Sequence, residues 1–337
     1  METSTRIQKW FESNGRDLPW RHTKDSYQIW VSEIILQQTR IGQGTDYYHK
    51  FLRQYPTLAD LQATDETTLL RVWQGLGYYS RARNMLKAAR ACNGHFPDSY
   101  DELIKLPGIG DYTASAISSF ASNECRAAVD GNVQRIIARL YDLDLPIDKP
   151  AGAEAVKELA DQLLDRRHPG NHNQAMMDFG ALQCVPHRPE CLNCPLTDKC
   201  LAFARHTVDT RPVKVGSIRQ RTRHFHYLDI RQGTLRFIHE RPAGDIWTGL
   251  YEFALIESET LTVQTIASAL SGCHYEIRGT SKTYKHVLTH QTIYADFTII
   301  ELDACSPAPL GLLAIEDPDL QDYPFSRLTL RYLQQQA

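Results

Sequence analysis

Apolar residues recur every three or four positions from Trp10 to about His206, in stretches closed by Pro and Gly. This spacing predicts helices over Tyr27 to Gln38, Glu66 to Trp73, Arg81 to Cys92, Tyr112 to Ser122, Val133 to Tyr141 and Ala153 to Asp165. Breaks at Leu18-Pro19, Gly75-Leu76-Gly77 and Pro107-Gly108-Ile109-Gly110 suit helix ends and tight turns. No alternating strand pattern interrupts this part, so residues 1–207 read as an all-α domain. Residues 208–222 turn polar and basic with no sustained amphipathic face, which suits a linker. Beyond them HFHYLDI, TLRFIHE, LYEFALI and QTIYADFTII alternate or run β-branched and aromatic, with a helix expected over Thr262 to Ser271. Residues 223–337 therefore read as a mixed α/β domain, and two domains also match what 337 residues ordinarily support.

Composition narrows the class. With 42% hydrophobic and 23% charged residues and no apolar run long enough to span a bilayer, no membrane role is expected. The start, METSTRIQKWFESNG, lacks the basic and apolar regions of a secretory signal, so an intracellular, reducing setting is expected. A net charge of -3 does not advertise nucleic-acid binding, but phosphates respond to local groups rather than to the chain total.

Four of the eight cysteines, Cys184, Cys191, Cys194 and Cys200, form C-x6-C-x2-C-x5-C, which lets one loop aim four thiolates at a common centre. Such soft donors suit tetrahedral zinc or an iron–sulfur cluster, and the single C-x2-C knuckle leans toward the cluster. Its default role is structural, with His187, Arg188 and Lys199 placed to approach phosphates. Cys92, Cys125, Cys273 and Cys305 are scattered and expected to be ordinary buried residues.

Leu103 to Ser119 reads as helix, Pro-Gly-Ile-Gly turn, helix, a hairpin spanning about residues 103–120. Gly108 and Gly110 free backbone N–H groups at a helix N-terminus, where an anion such as a DNA phosphate binds without Lys or Arg. Glu33 lies in a helix whose neighbours one turn away are Ile29, Trp30, Leu36 and Gln37. Apolar surroundings disfavour a charged carboxyl, and one kept protonated near neutral pH can act as a general acid. Asp130, in Ala-Val-Asp-Gly-Asn-Val-Gln-Arg, precedes a helix, so it or Asn132 is a candidate helix cap. It is also a candidate for the second carboxylate that cleavage of a glycosidic bond requires, and the sequence alone does not separate the two roles.

These motifs together resemble the adenine DNA glycosylase (MutY) family, within the helix-hairpin-helix glycosylase group. The resemblance is carried by LPWR (Leu18 to Arg21), WVSEIILQQTR (Trp30 to Arg40), WQGLGYYSRARN (Trp73 to Asn84), LPGIGDYTASAI (Leu106 to Ile117), VDGNVQR (Val129 to Arg135), NQAMMDFGA (Asn173 to Ala181) and the four cysteines. It implies an all-α helix-hairpin-helix glycosylase domain with a 4Fe–4S loop over 184–200, followed by an α/β Nudix-like domain. By that resemblance Glu33 protonates N7 of a flipped adenine and Asp130 stabilises or traps the sugar cation, supported by Asn132 and Tyr112. Trp20, Arg21 and Gln174 match positions lining the extruded base, while Leu36, Gln37, Gln38 and Tyr78 match positions wedged into the opened stack. Flipping requires both, since the extruded base and the vacated gap each need a partner. In endonuclease III-like relatives a lysine stands at the place of Tyr112 and forms a Schiff base; a phenol cannot, so little or no lyase activity is expected.

The C-terminal part resembles the family's recognition module in ERPAGDIWTGLYEF (Glu240 to Phe253) and KHVLTHQ (Lys285 to Gln291), and no REx2EE-type acidic helix equips it for diphosphate hydrolysis. The family reads 8-oxoguanine with a Phe-Ser-His loop; here Leu288-Thr289-His290 keeps the His and a hydroxyl and loses the aromatic. The expected partner is duplex DNA with adenine opposite 8-oxoguanine or guanine, met by a monomer in the cytoplasm. The alternatives are an endonuclease III-like glycosylase/lyase for oxidised pyrimidines and a non-catalytic iron–sulfur DNA-binding protein; the second would be expected to lack one of the two carboxylates.

Overall fold

The computed structural model describes residues 2–216 and 220–336; residues 217–219 of the expected linker lie outside the described residues. The chain divides into two compact units, one of Met1–Ala63 with Asn84–Gly216, the other of Thr64–Arg83 with Ser217–Ala337. Among the described residues no helix is long and apolar enough to cross a membrane.

The first part of the chain is helical throughout. Its helices are α1 (Glu2–Asn14), α2 (Ser26–Leu36), α3 (Ile41–Gln54), α4 (Leu58–Ala63), α5 (Glu66–Trp73), α6 (Ser80–Ala91), α7 (Tyr100–Leu103), α8 (Asp111–Ser122), α9 (Gly131–Leu140), α10 (Pro150–Leu163), α11 (Pro169–Asp178) and α12 (Leu201–Ala204). Val133, Ile136, Ile137 and Leu140 put one stripe of α9 into a core shared with Ile7 of α1, Val156 and Ala160 of α10, and Ala175 and Met176 of α11. By contrast α2 is buried on nearly every side, from Tyr27 to Ile35, and packs on α3 and α8. It stops at Leu36, two residues before the sequence pattern predicts. The chain bends because Thr39 N–H donates to the Leu36 carbonyl (3.2 Å) and Gln38 takes a left-handed φ of 57°. Asn123, also left-handed, closes α8. Residues 208–216 are fastened to this unit: Ile147 N–H donates to the Val213 carbonyl (3.0 Å), and Gly216 N–H to Asp148 (2.7 Å).

Among the described residues the second unit is built on one eight-stranded sheet: β1 (Arg221–Gln232), β2 (Leu235–Glu240), β3 (Tyr251–Glu252), β4 (Ala254–Glu257), β5 (Tyr275–Thr280), β6 (Tyr284–Val287), β7 (Gln291–Leu302) and β8 (Leu313–Glu316). The order is β3-β2-β1-β7-β5, with β4 added to β1, β6 to β7 and β8 to β2. Its spine is the parallel pair β1/β7, in register from Arg221 opposite Gln291 to Arg231 opposite Glu301. Alternation sorts the side chains: Phe225, Tyr227 and Phe297 face Leu328 and Tyr332 of α14 (Arg327–Leu333), while Leu228, Ile230 and Ile300 face Ile266 of α13 (Val263–Ala269). The stretch LYEFALI, expected as one strand, is two. Phe253 interrupts it to enter the core, and β3 and β4 pair with β2 and β1 respectively.

Helix α5 and the loop after it complete this unit. Gly249, at φ 77°, lies where a Cβ would meet Glu66 and Leu70 at 3.1–3.2 Å; Arg71 pairs with Asp322 (2.8 Å), and Gln74 accepts from Phe325 N–H (3.2 Å). Of the four cysteines expected to be buried, Cys92 is; Cys273 is half-buried, and Cys125 and Cys305 are exposed, because they sit in connections that no amphipathic stripe covers.

Candidate active site

Three helices of the first unit bring together Glu33, Tyr112 and Asp130, which lie far apart in the sequence. Glu33, 7% exposed, points from the middle of α2, and the Tyr112 hydroxyl at the start of α8 donates to its Oε2 (2.8 Å). Burial is the main influence on Glu33 and pushes its pKa up to about 7; the Tyr112 bond opposes this, the Asp130 charge adds to it, and Arg21 opposes it. The group is thus half protonated at neutral pH, as a proton donor needs to be. Met177 of α11 completes the wall, its Sδ 3.9 Å from the Tyr112 hydroxyl.

Asp130 is the N-cap of α9. Its Oδ1 accepts from the N–H groups of Asn132 (2.9 Å) and Val133 (2.8 Å), and its Oδ2 from the Asn132 side-chain amide (2.8 Å). Burial raises its pKa against the pull of those donors. Capping and a chemical role coexist, since the cap fixes the carboxylate at the helix end while its charge still reaches Glu33.

Trp20, nearly buried, sits in a tight turn over Pro19–Arg21, edge-on to Tyr48 with ring centres 5.4 Å apart. Arg21 is engaged by Asp178, and Gln174 is half-buried one turn before Met177 on α11. Leu36 ends α2; it and Gln37 are half-buried and Gln38 is exposed in the turn that follows, where Gln37 Nε2 is 3.5 Å from the Thr113 hydroxyl. In the hairpin Gly108 has φ 78°, and a Cβ there would strike Asn84 Cβ at 2.6 Å; Gly110 begins α8 with no side-chain cap. The turn therefore presents backbone N–H groups at a helix start.

The four clustered cysteines line one cavity, with Arg139, Thr197, Phe203 and Val208. Burial, and beyond it mutual repulsion with Cys184, Cys191 and Cys200, raises the Cys194 thiol to about 11. Among the described residues, however, no three or more Cys, His, Asp or Glu side chains are gathered so as to clasp a single ion. Four thiols around one cavity are a donor set that suits an iron–sulfur cluster or zinc.

Sequence reasoning missed what fastens this loop. Arg135 and Arg139, one turn apart on α9, reach the backbone around it: Arg135 Nε donates to the Cys184 carbonyl (2.8 Å), and Arg139 donates to the carbonyls of Val185 (2.7 Å) and Pro186 (2.9 Å). Arg135 also donates to Asn132 Oδ1 (2.9 Å). Gly180, in a π-helical turn after α11, leaves room for Asn132: a Cβ on it would stand 2.5 Å from Asn132 Cβ. The available signal was two arginines at i and i+4 on an otherwise apolar helix face.

In the second unit Leu288-Thr289-His290 forms the turn between β6 and β7, closed by Leu288 N–H to the Gln291 carbonyl (2.8 Å). Thr289 and His290 are exposed. The Tyr78 hydroxyl lies 2.6 Å from that of Thr289, and Tyr78 itself takes a left-handed φ of 45°. Both border a cavity of about 430 Å³ that Trp247, His286 and Arg83 also line. After Gly249 the chain enters β3 rather than a helix, so no acidic helix stands there.

These two folds define a class. Residues 31–166 match the HhH-GPD superfamily of base excision DNA repair proteins, and residues 226–335 match the NUDIX domain. A solved structure of a thermostable thymine-DNA glycosylase superposes with a TM-score of 0.56 at 29% identity, over 60% of this chain and 95% of that one. An adenine DNA glycosylase of Buchnera aphidicola is 33% identical over 86% of this chain and 83% of its own length. The adenine DNA glycosylase of Arabidopsis thaliana is 32% identical over 87% of this chain, which spans 56% of the plant protein's length. The chain belongs to the adenine DNA glycosylase family.

Proposed function

We propose that this protein removes adenine mispaired with 8-oxoguanine or guanine from duplex DNA by hydrolysing its N-glycosidic bond. The observation that carries the reading is the Glu33–Tyr112 contact, a buried carboxyl with a pKa near 7 that also feels the charge of Asp130. Glu33 delivers its proton to N7 of the flipped adenine; the C1′–N9 electron pair leaves with the base. Asp130 meets the positive charge that develops on the sugar, water adds at C1′, and its proton returns to Glu33 as the carboxylate. Trp20, Arg21 and Gln174 hold the extruded base, Leu36, Gln37, Gln38 and Tyr78 fill the gap, and the amides at Gly108 and Gly110 take a phosphate. Tyr112 offers no amine, so the product is an abasic site without strand cleavage.

Cys184, Cys191, Cys194 and Cys200 would hold a 4Fe–4S cluster whose role is to brace the loop, since full thiolate ligation leaves no open position. Thr289 and His290 read the base opposite the adenine from the turn of the second unit. The domains expected at 1–207 and 223–337 divide these tasks, with Thr64–Arg83 working alongside the second. A monomer suffices, acting at the nucleoid in the cytoplasm. The test is single-turnover base release from duplexes with adenine opposite 8-oxoguanine, guanine or thymine, with alkali added afterwards. Breaks only after alkali, and only opposite the two purines, are expected; direct nicking at oxidised pyrimidines would overturn the reading.

A further inference from the structure

The chain has four methionines, and burial separates them. Met85 and Met176 are 1% and 2% exposed, sealed among helices, and Met1 lies outside the described residues. Met177, one residue after Met176 on α11, is half-buried. Its Sδ lies 3.9 Å from the Tyr112 hydroxyl, the same hydroxyl that donates to Glu33 Oε2 at 2.8 Å. A phenol has one proton to donate and a thioether is a weak acceptor, so the carboxyl holds that proton. The balance is chemically adjustable. A leucine of similar volume would line the wall without a sulfur, whereas a thioether takes up oxygen and becomes a polar sulfoxide.

We propose that Met177 is an oxidation site within the active pocket: its sulfoxide draws the Tyr112 hydroxyl away from Glu33 and so changes the acid that releases the base. The inference rests on the reading of Glu33 as the proton donor. Hydrogen peroxide supplies the oxygen. The sulfur lone pair forms the S–O bond as the O–O bond breaks, and the departing hydroxide takes the remaining proton and leaves as water; sulfur is oxidised by two electrons and the peroxide reduced by two. An oxygen added to a sulfur 3.9 Å from the hydroxyl brings an acceptor within hydrogen-bond reach of it. The groups that act on Glu33 are Tyr112 from α8, Asp130 from the cap of α9 and Arg21 from the Pro19–Arg21 turn, and Tyr112 is the one that Met177 meets. Withdrawing a donor from a carboxylate disfavours its charged form, so Glu33 then keeps its proton to higher pH.

The experiment exposes three full-length chains to hydrogen peroxide, the unaltered one, Met177→Leu and Tyr112→Phe. Peptide mass mapping locates the added oxygen, and single-turnover adenine release against pH compares each protein with its own untreated sample. Met177 is expected to be oxidised before Met85 and Met176. The falling alkaline limb of the unaltered chain is expected to move to higher pH by about one unit, roughly what one hydrogen bond to a charged group contributes. Treatment should leave the limb in place in Met177→Leu, which has no sulfur there, and in Tyr112→Phe, which has no hydroxyl to redirect. An equal shift in Met177→Leu would assign the effect to thiols and overturn the proposal. So would an unmoved limb in chains carrying the Met177 sulfoxide, or oxidation of Met177 no faster than of Met85 and Met176. The pH dependence of unfolding follows the same Glu33 proton without catalysis, and oxidation should extend to higher pH the range over which stability falls. A chain that releases no adenine but shows this extension overturns the reading of the activity alone; one that releases adenine with both readouts unmoved overturns only this inference, and failure of both overturns both.

Discussion

The pocket around Glu33 and the turn around Thr289 solve different problems. In the first unit Glu33 is buried, Tyr112, Asp130 and Asn132 are half-buried, and they are cross-bonded, Tyr112 to Glu33 and Asn132 to Asp130, so charge is set by its surroundings. In the second Tyr78, Thr289 and His290 are exposed, and the bond between them joins two hydroxyls, Tyr78 and Thr289. Bond cleavage needs a carboxyl shifted by desolvation, whereas reading a base needs donors and acceptors left open for it. Perturbation therefore marks the first region, and availability the second.

The largest effect is expected from Glu33→Gln, which removes the proton donor and should lower base release by at least about 10²–10⁴-fold while DNA binding persists in a gel-shift assay. The same variant carries a stability signature. Glu33 has a folded pKa of about 7 against an ordinary 4.5, so the native state retains a proton that the unfolded chain loses, and stability falls as pH rises between those values. Removing the titration should recover roughly 3 kcal/mol above pH 7 and little below pH 4.5, read as unfolding free energies at the two pH values.

Asp130→Asn separates cap from charge. Asparagine caps a helix as well as aspartate, so thermal stability should hold to within about 1 kcal/mol, while base release drops about 10²–10³-fold. An equal loss of stability and rate would reduce Asp130 to its cap.

Tyr112→Phe is milder. Its hydroxyl supports the ionised form of Glu33, so without it the acid stays protonated to higher pH and the alkaline limb of the rate profile moves upward. A limb that moves downward would mean the phenol acts otherwise. Thr289→Ala should be the gentlest, leaving release opposite guanine intact and weakening the preference for 8-oxoguanine by about tenfold or less, since one exposed hydroxyl is at stake. Loss of all activity there would erase the contrast between the two regions.

What the sequence made legible follows the same division. The helix periods placed α2, α5, α8 and α9 within a residue or two, because a buried stripe repeats regularly along the chain. The end of α2 was misplaced, since Gln37 and Gln38 fit a helix by composition and only the left-handed turn at Gln38 excludes it. Glu33 and Asp130 stood out through their neighbours. Asp178 did not, because its partners Arg16 and Arg21 lie about 160 positions away and no local pattern records such a contact. The division of LYEFALI was equally invisible, since Phe253 suits a strand as well as a core.

Thr64–Arg83 belongs to a unit whose remainder begins at Ser217. On a ribosome adding roughly 5–20 residues per second, this piece emerges and then waits about 10–30 s for Gly249, the residue that packs on Leu70, to be made. The nascent chain must hold it unassembled for that interval, and any fragment ending at Gly216 retains it as an orphan. Helix α5 is thus an address written early for a delivery that arrives last, which makes the segment a natural point of attack for chaperones and proteases during synthesis.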